Sequence, residues 1–435
     1  MGPTQVKIKF IERKRKIEKI KKFILEKKNL VGYIAFKMFD MGMAFYLNWI
    51  VVRKLSEYDY GVYSIILTVL GMLTTFGFSW TSSSLLYFGV EEKVEYGSLN
   101  RTFWARNIIL GISYLIVGVL FLFFYKKLDE YITEPLSVYL FVWMSIKILT
   151  DYLMCYFLAI EKRKISVLVS LFTKLFAVMM ITIKVVSLQK VLIYSIVSEI
   201  LALIWIIKIN KSDFGKFVFD KKIFKKVLSF GLWQVFGFSG LYIINFGDNL
   251  VIKHFLTMED VGIYNVAYKL FVGMSAFSYL FSSYFAPTVT KAIKNKDKDT
   301  LIEIFFKDRK YMTLLLFIPH LLVIILAKKI VVLFFGQNYI GAAYPLIVLT
   351  VYSALKYYAV FNILIYNCFE KYSIMQCFNI LQAVLNIILD ILLIPYFGIL
   401  GAALGTILSF IISTGIETIY GNFCLRKFFK TLEKE

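Results

Sequence analysis

The sequence contains few of the residues on which most catalytic and metal sites are built. Among its 435 residues there are only two histidines and four cysteines. Neither His254 nor His320 has a nucleophile or a metal ligand at a useful spacing, and no Cys-x-x-Cys pair or glycine-rich phosphate loop occurs. The cysteines are therefore predicted to be free thiols. These absences argue against an enzyme, a resident metal and a bound cofactor.

Acidic residues are also scarce, since 29 aspartates and glutamates stand against 50 lysines and arginines. The net charge of +21 would suit a nucleic-acid binder, but the chain is 59% hydrophobic and its mean hydropathy is +0.71. Apolar residues come in runs of about twenty, which is the length of helix that crosses a bilayer. The composition predicts a multi-pass membrane protein with no nucleic-acid partner.

Twelve apolar segments are long enough to be transmembrane helices. Most lysines and arginines fall in alternate loops, and because positive loops stay in the cytoplasm, both termini are predicted to be cytoplasmic. A basic helix precedes the first span and could lie on anionic membrane lipid. The predicted spans are 30–52, 61–89, 103–124, 136–160, 165–186, 189–208, 227–252, 262–287, 311–327, 345–368, 373–394 and 398–424.

Two stretches far apart in the chain have nearly the same sequence. RKLSEYDYGVYS occupies residues 53–64, and HFLTMEDVGIYN occupies residues 254–265. An ungapped alignment at an offset of 201 pairs Gly61 with Gly262. Each copy lies on the predicted outer side, between the first two helices of a six-helix set. The chain is therefore predicted to be a duplication.

The repeat continues through both halves, because an offset of 209 superposes Glu161 on Glu370 and Lys147 on Lys356. Each half holds an even number of spans, so the halves should share one orientation and be related by a pseudo-twofold axis along the membrane normal. The predicted fold is an all-α polytopic membrane protein with twelve transmembrane helices in two six-helix lobes. Its predicted divisions are a basic cytosolic N-terminal helix (1–29), an N-lobe (30–208), a basic cytosolic linker (209–226), a C-lobe (227–424) and a cytosolic tail (425–435).

Three motifs resemble those of one transporter family. LTxxDxGxYxxAY at 256–268 resembles the segment that enters the eighth helix of bacterial polysaccharide transporters. FGxxYxxAxxPL at 335–346 looks like the family's outer loop before helix ten, and PxxGxxGAA at 395–403 looks like its turn into helix twelve. The family includes O-antigen, capsule and teichoic-acid flippases. It belongs to a superfamily that also holds multidrug exporters and lipid II flippases.

The resemblance implies a transporter in the bacterial plasma membrane that serves cell-surface polysaccharide biosynthesis. Its substrate would be a lipid-linked oligosaccharide of the undecaprenyl-diphosphate type, moved from the inner to the outer leaflet by alternating access. Contacts with membrane lipids and with polysaccharide assembly proteins are implied as well. A multidrug or small-molecule exporter is the alternative. An oligosaccharide polymerase or ligase is disfavoured, because the predicted outer loops are short.

Lysines inside apolar spans are candidates for the substrate site, because such charges usually face a bundle interior or a watery cavity. A diphosphate headgroup cannot leave water unless its charge is met, and ammonium groups would meet it. The competing interpretation is local neutralisation by a carboxylate three or four residues on, which Lys37 and Lys147 have and Lys356 lacks. The repeat-related Lys147 and Lys356 are expected to face each other across the cleft. The predicted substrate-binding residues are Lys37, Lys147, Lys269 and Lys356.

Carboxylates inside the spans could couple transport to a gradient of H⁺ or Na⁺, since a buried acid can exchange a proton or bind a cation as the lobes rearrange. Pairing with the lysines is the alternative role. Asp248 belongs to a polar group with Asn245 and Asn249 toward the outer end of the seventh span. The predicted ion-coupling residues are Asp40, Asp151, Glu199 and Asp248.

Overall fold

The structure is a computed structural model that describes residues 28–183, 187–209 and 217–432. These residues form helices and turns without a strand. The predicted basic helix in 1–29 falls almost entirely outside them, as do residues 210–216 of the predicted linker. The long helices of the described ranges are α1 Lys28–Lys54, α2 Glu57–Gly77, α3 Asn100–Ile132, α4 Ser137–Ala159, α5 Arg163–Ile183, α6 Leu188–Ile209, α7 Lys221–Phe255, α8 Met258–Ala276, α9 Arg309–Phe335, α10 Ala343–Cys368, α11 Tyr372–Phe397 and α12 Ile399–Leu432.

Nine helices in this part of the chain are long and apolar enough to cross a membrane. The helices α1, α7 and α8 are not among them, although each coincides with a predicted span. They carry polar residues that belong to the candidate site described below. The all-α multi-pass architecture is confirmed, while the count of twelve spans stays a prediction.

Two predicted spans are broken at corresponding places in the two halves. The span 61–89 was expected to be one helix, but α2 ends at Gly77, and short 3₁₀, α and π segments carry the chain on to a further short α-helix, Val90–Tyr96. Likewise α8 ends at Ala276, and a separate helix, Ser278–Lys294, follows it directly. Side chains bind the carbonyls that these breaks release. The Trp80 indole donates to the Gly77 carbonyl at 3.1 Å, and the Ser278 hydroxyl donates to the carbonyl of Ser275 at 2.7 Å.

The helices pack mainly within their own half of the chain, and the same pairings recur in both halves. In the N-lobe α1 packs on α5 and α4 packs on α6, while in the C-lobe α7 packs on α11 and α10 packs on α12. The repeated Glu-Lys turn also folds alike, since Glu161 and Glu370 both adopt positive φ values of 68° and 56°. The duplication seen in the sequence is therefore a duplication of structure.

The two copies of the repeated corner pack against each other across the pseudo-twofold axis. In each copy a hydroxyl caps the next helix, because Ser56 accepts from the Asp59 amide and Thr257 accepts from the Asp260 amide. The helices α2 and α8 then cross at Gly61 and Gly262. A Cβ at Gly61 would overlap the Met258 carbonyl, and one at Gly262 would overlap the carbonyl of Glu57. Glycine at both positions lets the lobes close at this end.

Away from this crossing the lobes face each other along two lines, here called seams, and the two seams differ. Along the first, α7 packs against α2 and its continuation, with the Tyr242 ring against Gly71 and the Trp80 indole against Gly231. Along the second, α1 and α8 barely touch. The lobes are thus joined along α2 and α7 and separated along α1 and α8.

Candidate functional site

The N-lobe contains a cavity of about 260 Å³ that brings several predicted residues together. Lys147, Asp151 and Glu199 line it, together with Lys174 from α5. The Lys147 ammonium lies 3.4 Å from a carboxylate oxygen of Asp151, four residues along α4. A helix places residues at this spacing on one face, so the pairing follows directly from the sequence.

Asp40 is buried beside this cavity and binds three groups from two helices. The ammonium of Lys174 forms an ion pair with it, the Ser170 hydroxyl donates to it at 2.9 Å, and Lys37 approaches its other oxygen at 3.6 Å. The Lys37 side chain is 52% exposed, whereas that of Lys174 is 22% exposed. The main partner of Asp40 is therefore Lys174, which lies outside the set of predicted substrate residues.

Glu199 obtains its partners from neutral side chains of α4. The Trp143 indole donates to one carboxylate oxygen at 3.2 Å, and the Thr150 hydroxyl donates to the other at 2.8 Å. All three N-lobe carboxylates that were predicted to couple ions therefore have partners within the lobe.

A second cavity, of about 280 Å³, lies in the C-lobe around Lys356. Its ammonium lies 4.9 Å from the centre of the Tyr279 ring, close enough for a cation–π contact. Among the described residues no carboxylate forms an ion pair with Lys356, although Glu417 also lines the cavity. The remaining polar lining consists of Asn245, Tyr268, Tyr352, Gln376, Asn379, Gln382 and Thr414.

The structure places the repeat-related lysines in separate cavities, so Lys147 and Lys356 do not share one binding space. The two lysines also differ in their partners, since Lys147 pairs with a carboxylate and Lys356 lies over the Tyr279 ring. Lys269 is partly buried on α8 and, within the described ranges, forms no ion pair with a carboxylate. Its repeat counterpart at the offset of 201 is Thr68, on the closed seam.

Asp248 of α7 lies at the centre of a buried polar cluster that joins four helices. The hydroxyl of Tyr264 from α8 donates to it, and the Thr406 hydroxyl from α12 lies 2.8 Å from the same oxygen. The carboxyl group of Asp390 from α11 lies within hydrogen-bonding reach of it. Asn386, one turn before Asp390, donates to that second carboxyl group at 3.4 Å.

Three acceptor oxygens in this cluster have no donor from the described residues. They are Asp248 Oδ1, Asp390 Oδ2 and Asn386 Oδ1, and each belongs to a side chain that is at most 2% exposed. Gly405 makes room for the cluster, since a Cβ there would overlap a carboxylate oxygen of Asp390. Two buried carboxyl groups in contact cannot both stay ionised unless a cation lies between them, and without a cation one of them holds a proton. The oxygen-only donor set suits a proton or a hard cation such as Na⁺.

Asp390 and Asn386 are absent from the residues predicted from the sequence, although a signal for them exists. Asp390 is an ionisable residue inside the predicted span 373–394, and Asn386 lies four residues before it on the same helix face.

Two buried arginines are also absent from the prediction. Arg106 of α3 donates to Ser82 at 2.8 Å, and Arg309 at the start of α9 donates to Asn362 at 2.7 Å. Each guanidinium stacks over a tyrosine ring and bonds neutral groups. They occupy corresponding helices of the two halves, which fits a role in holding each lobe together.

Comparison with known proteins agrees with this architecture. The family model described as polysaccharide biosynthesis protein matches residues 27–283. The chain is 27% identical over 200 residues to the probable low-salt glycan biosynthesis flippase Agl15 of Haloferax volcanii. The aligned region covers 45% of this chain and 42% of that protein. It is 25% identical over 228 residues to an uncharacterized membrane protein of Methanocaldococcus jannaschii, covering 50% and 44% of the two chains. The matched region spans less than half of either curated relative.

Solved structures of transporters share the fold at low sequence identity. An inward-facing multidrug resistance MATE family transporter of the MOP superfamily superposes with a TM-score of 0.72 and 12% identity, covering 90% of this chain and 96% of that chain. The lipid II flippase MurJ in an inward closed conformation gives a TM-score of 0.67 and 16% identity, covering 92% and 90%. An outward-facing MATE transporter gives 0.58 and 14% identity, covering 90% and 94%. Since the family match extends over more than half of the chain, the protein belongs to the polysaccharide biosynthesis protein family.

Proposed function

We propose that the protein is a flippase that moves a lipid-linked oligosaccharide of the undecaprenyl-diphosphate type from the inner to the outer leaflet by alternating access. The observation that carries the proposal is the cavity around Lys356, where an ammonium group has no ion-paired carboxylate among the described residues. An unmatched cation in a membrane protein needs an anion, and a diphosphate headgroup supplies one. Membership of a polysaccharide biosynthesis family supports the same substrate class.

The rest of the C-lobe cavity suits the sugar portion of such a substrate. Amide side chains of Gln376, Asn379 and Gln382 offer donors and acceptors to hydroxyl groups, and the Tyr279 and Tyr352 rings offer apolar faces. Lys269 is the second proposed contact to the headgroup. Lys37 and Lys147 have carboxylate partners, so they are proposed to contribute less.

Transport is proposed to be coupled to H⁺ or Na⁺ through the buried acids. Asp248, with Asp390 beside it, is the strongest candidate, because the cluster has acceptor oxygens without donors and no basic side chain bonded to it among the described residues. Asp40, Asp151 and Glu199 already have partners, so their coupling role is the weaker part of the proposal.

The proposed orientation puts both termini in the cytoplasm, with twelve spans between them. It rests on the distribution of lysine and arginine among the loops. Reporter fusions after Lys294 and after Lys54 test it, since the first should report the cytoplasm and the second the outside. The reverse pattern would overturn the orientation.

Flipping is tested in proteoliposomes with a fluorescent polyprenyl-diphosphate sugar, and the protected fraction is read after chemical quenching of the outer leaflet. The wild-type protein should move the probe, Lys356→Arg should retain part of the rate and Lys356→Gln should lose about tenfold or more, as expected for a lost charge-assisted contact. A polyprenyl-monophosphate sugar is the matched control substrate. Full activity of Lys356→Gln at normal protein level would refute a required cationic contact.

The alternative is a multidrug or small-molecule exporter, and one feature of the cavity favours it. Glu417 also lines the Lys356 cavity and could attract an organic cation. Comparing Lys356→Gln with Glu417→Gln separates the two functions. A flippase should depend on the lysine, whereas an exporter of cations should depend on the glutamate and should move an organic cation such as ethidium.

A further inference from the structure

The closed seam between the lobes contains a buried hydrogen-bond chain next to the Asp248 cluster. The Asn249 amide of α7 donates to the Thr68 hydroxyl of α2 at 2.9 Å. Thr68 in turn donates to the Ser64 carbonyl at 2.9 Å, and the Tyr242 hydroxyl donates to the Thr68 backbone carbonyl. The Thr68 and Asn249 side chains are at most 4% exposed, so water cannot easily replace these bonds. These bonds therefore form only when α7 stands in this position.

The Asn249 side chain forms hydrogen bonds with α8 as well as with α2. The Asn265 amide donates to the Asn249 side-chain oxygen at 2.7 Å, and the Asn249 amide lies 3.4 Å from the oxygen of Asn265. One residue earlier on both helices, Tyr264 donates to Asp248. Two neighbouring side-chain hydrogen bonds thus connect α7 with α8. The bond from Tyr264 to Asp248 belongs to the acid cluster, and the bond from Asn265 to Asn249 belongs to the seam.

Because Asp248 and Asn249 are adjacent residues of one helix, their positions are linked. Consecutive residues of an α-helix point about 100° apart, so Asp248 faces Asp390 and Thr406 while Asn249 faces α2. While α2 and α11 keep their positions, a rotation or shift of α7 that changes the distance from Asp248 to Asp390 also changes the distance from Asn249 to Thr68. We infer that Asn249 and Thr68 form a latch through which occupancy of the Asp248–Asp390 pair controls whether the lobes stay joined along α2 and α7.

The groups around Asp248 determine the direction of the effect. Asp390 faces it from α11 and Tyr264 from α8, whereas α12 presents only the neutral hydroxyl of Thr406. A proton or cation shared by the two carboxylates holds α7 against α11, and the latch is closed. When that ion leaves, the two negative charges repel, α7 moves away from Asp390 and the bond from Asn249 to Thr68 breaks.

The duplication supplies an internal comparison. At the offset of 201 the counterparts of Asn249 and Thr68 are Asn48 and Lys269. Asn48 accepts a hydrogen bond from Tyr60 instead, on the seam where α1 and α8 barely touch. The counterpart of Asp248 is Leu47, so this half has neither the acid nor the latch. The acid cluster and the latch thus occur together on one seam and are missing together from the other.

The test measures the distance between spin labels at the two outer corners of the full-length protein in nanodiscs. Lys54→Cys and Phe255→Cys are repeat-related exposed sites, introduced after the four native cysteines are replaced. The distance distribution is recorded at low and high pH without Na⁺, and at high pH with saturating Na⁺. The wild-type short-distance population should change about fivefold or more between ion-loaded and ion-free states, a typical allosteric coupling.

Thr68→Val removes the hydroxyl but keeps the shape, and it should abolish most of this change, as should Asn249→Leu. Thr68→Ser should restore it. Thr74→Val is the matched control, because the Thr74 hydroxyl is buried on the same helix and bonds only the Gly71 carbonyl of its own helix. Wild-type-like ion dependence in Thr68→Val and Asn249→Leu would overturn the latch.

The inference rests on the proposed ion coupling, and the same measurements separate the two. If Asp248→Asn and Asp390→Asn respond to ions as the wild type does, the acid pair is not the controlling site and both ideas fail. If these variants lose the response while Thr68→Val keeps it, ion coupling stands and the latch alone is refuted. Because no substrate is added, neither result depends on the identity of the transported lipid.

Discussion

The two lobes share one fold but handle buried charge in opposite ways. In the N-lobe Asp40 pairs with Lys174, Asp151 pairs with Lys147, and Glu199 receives two neutral donors. In the C-lobe Asp248 and Asp390 meet each other, and Lys356 has no ion-paired carboxylate within the described ranges. A lobe whose buried charges have partners avoids the cost of leaving them unpaired, whereas a lobe that leaves them unmatched must take up an ion or an anionic ligand. Duplication thus preserved the scaffold while the charges of the two copies diverged.

The largest expected effect follows from removing a C-lobe acid. Asp390→Asn should lower ion-driven flipping in proteoliposomes on the order of a hundredfold, at the upper end of usual coupling strengths, because the pair can no longer exchange an ion. Glu199→Gln in the N-lobe should change the same rate by less than about threefold, since the Trp143 indole can still donate to the amide oxygen and the Thr150 hydroxyl can accept from the amide nitrogen. Similar losses in both variants would erase the proposed difference between the lobes.

A stability effect should be larger in the N-lobe. Asp40→Asn leaves the ammonium of Lys174 without its partner and should lower the free energy of unfolding by about 2 kcal/mol, less than for a fully buried pair because Lys174 is partly exposed. The double variant Asp40→Asn/Lys174→Met should recover most of that loss. Thermal unfolding in detergent measures both, and a double variant no more stable than the single one would contradict the pairing argument.

Where the lobes are equivalent, matched substitutions should have equal effects. Gly61→Ala and Gly262→Ala each place a Cβ against a backbone carbonyl of the other lobe, which cannot move aside as a side chain can. Each should reduce the population in which the two repeated corners are closed by about tenfold, the equivalent of about 1.4 kcal/mol. Label distances between Lys54→Cys and Phe255→Cys report the shift. Unequal effects would mean that the surroundings of Gly61 and Gly262 differ, although the backbones of the two corners match.

The smallest effect concerns the repeated Glu-Lys turn outside the spans. Glu161 and Glu370 both hold a left-handed backbone conformation, which costs an L-residue roughly 1 kcal/mol that glycine does not pay. Glu161→Gly and Glu370→Gly should each raise stability by up to about 1 kcal/mol, measured by thermal unfolding against Glu→Ala controls. A loss of stability in both variants would show that the glutamate side chains add more to the free energy of unfolding than the backbone strain takes from it.

The sequence predicted the parts of this protein that depend on local properties. Apolar length and lysine placement indicated a multi-pass helical fold, and the offset of 201 indicated the duplication. Lys37 with Asp40 and Lys147 with Asp151 were weighed as local pairs because they lie one helical turn apart, and the structure contains both. Their roles in transport stay predictions.

Only the tertiary structure decided which charges meet between helices. Lys174 reaches Asp40 across 134 residues, and Thr406 reaches Asp248 across 158. Such contacts depend on how each helix is rotated about its axis, and long apolar helices with little amphipathic pattern leave that rotation open until their neighbours pack. The sequence by itself determined a duplicated, helical, positively charged membrane protein. Packing between helices determined that Asp40 pairs with Lys174 while Asp248 lies against Asp390, because contacts between helices form only after the helices have found their places.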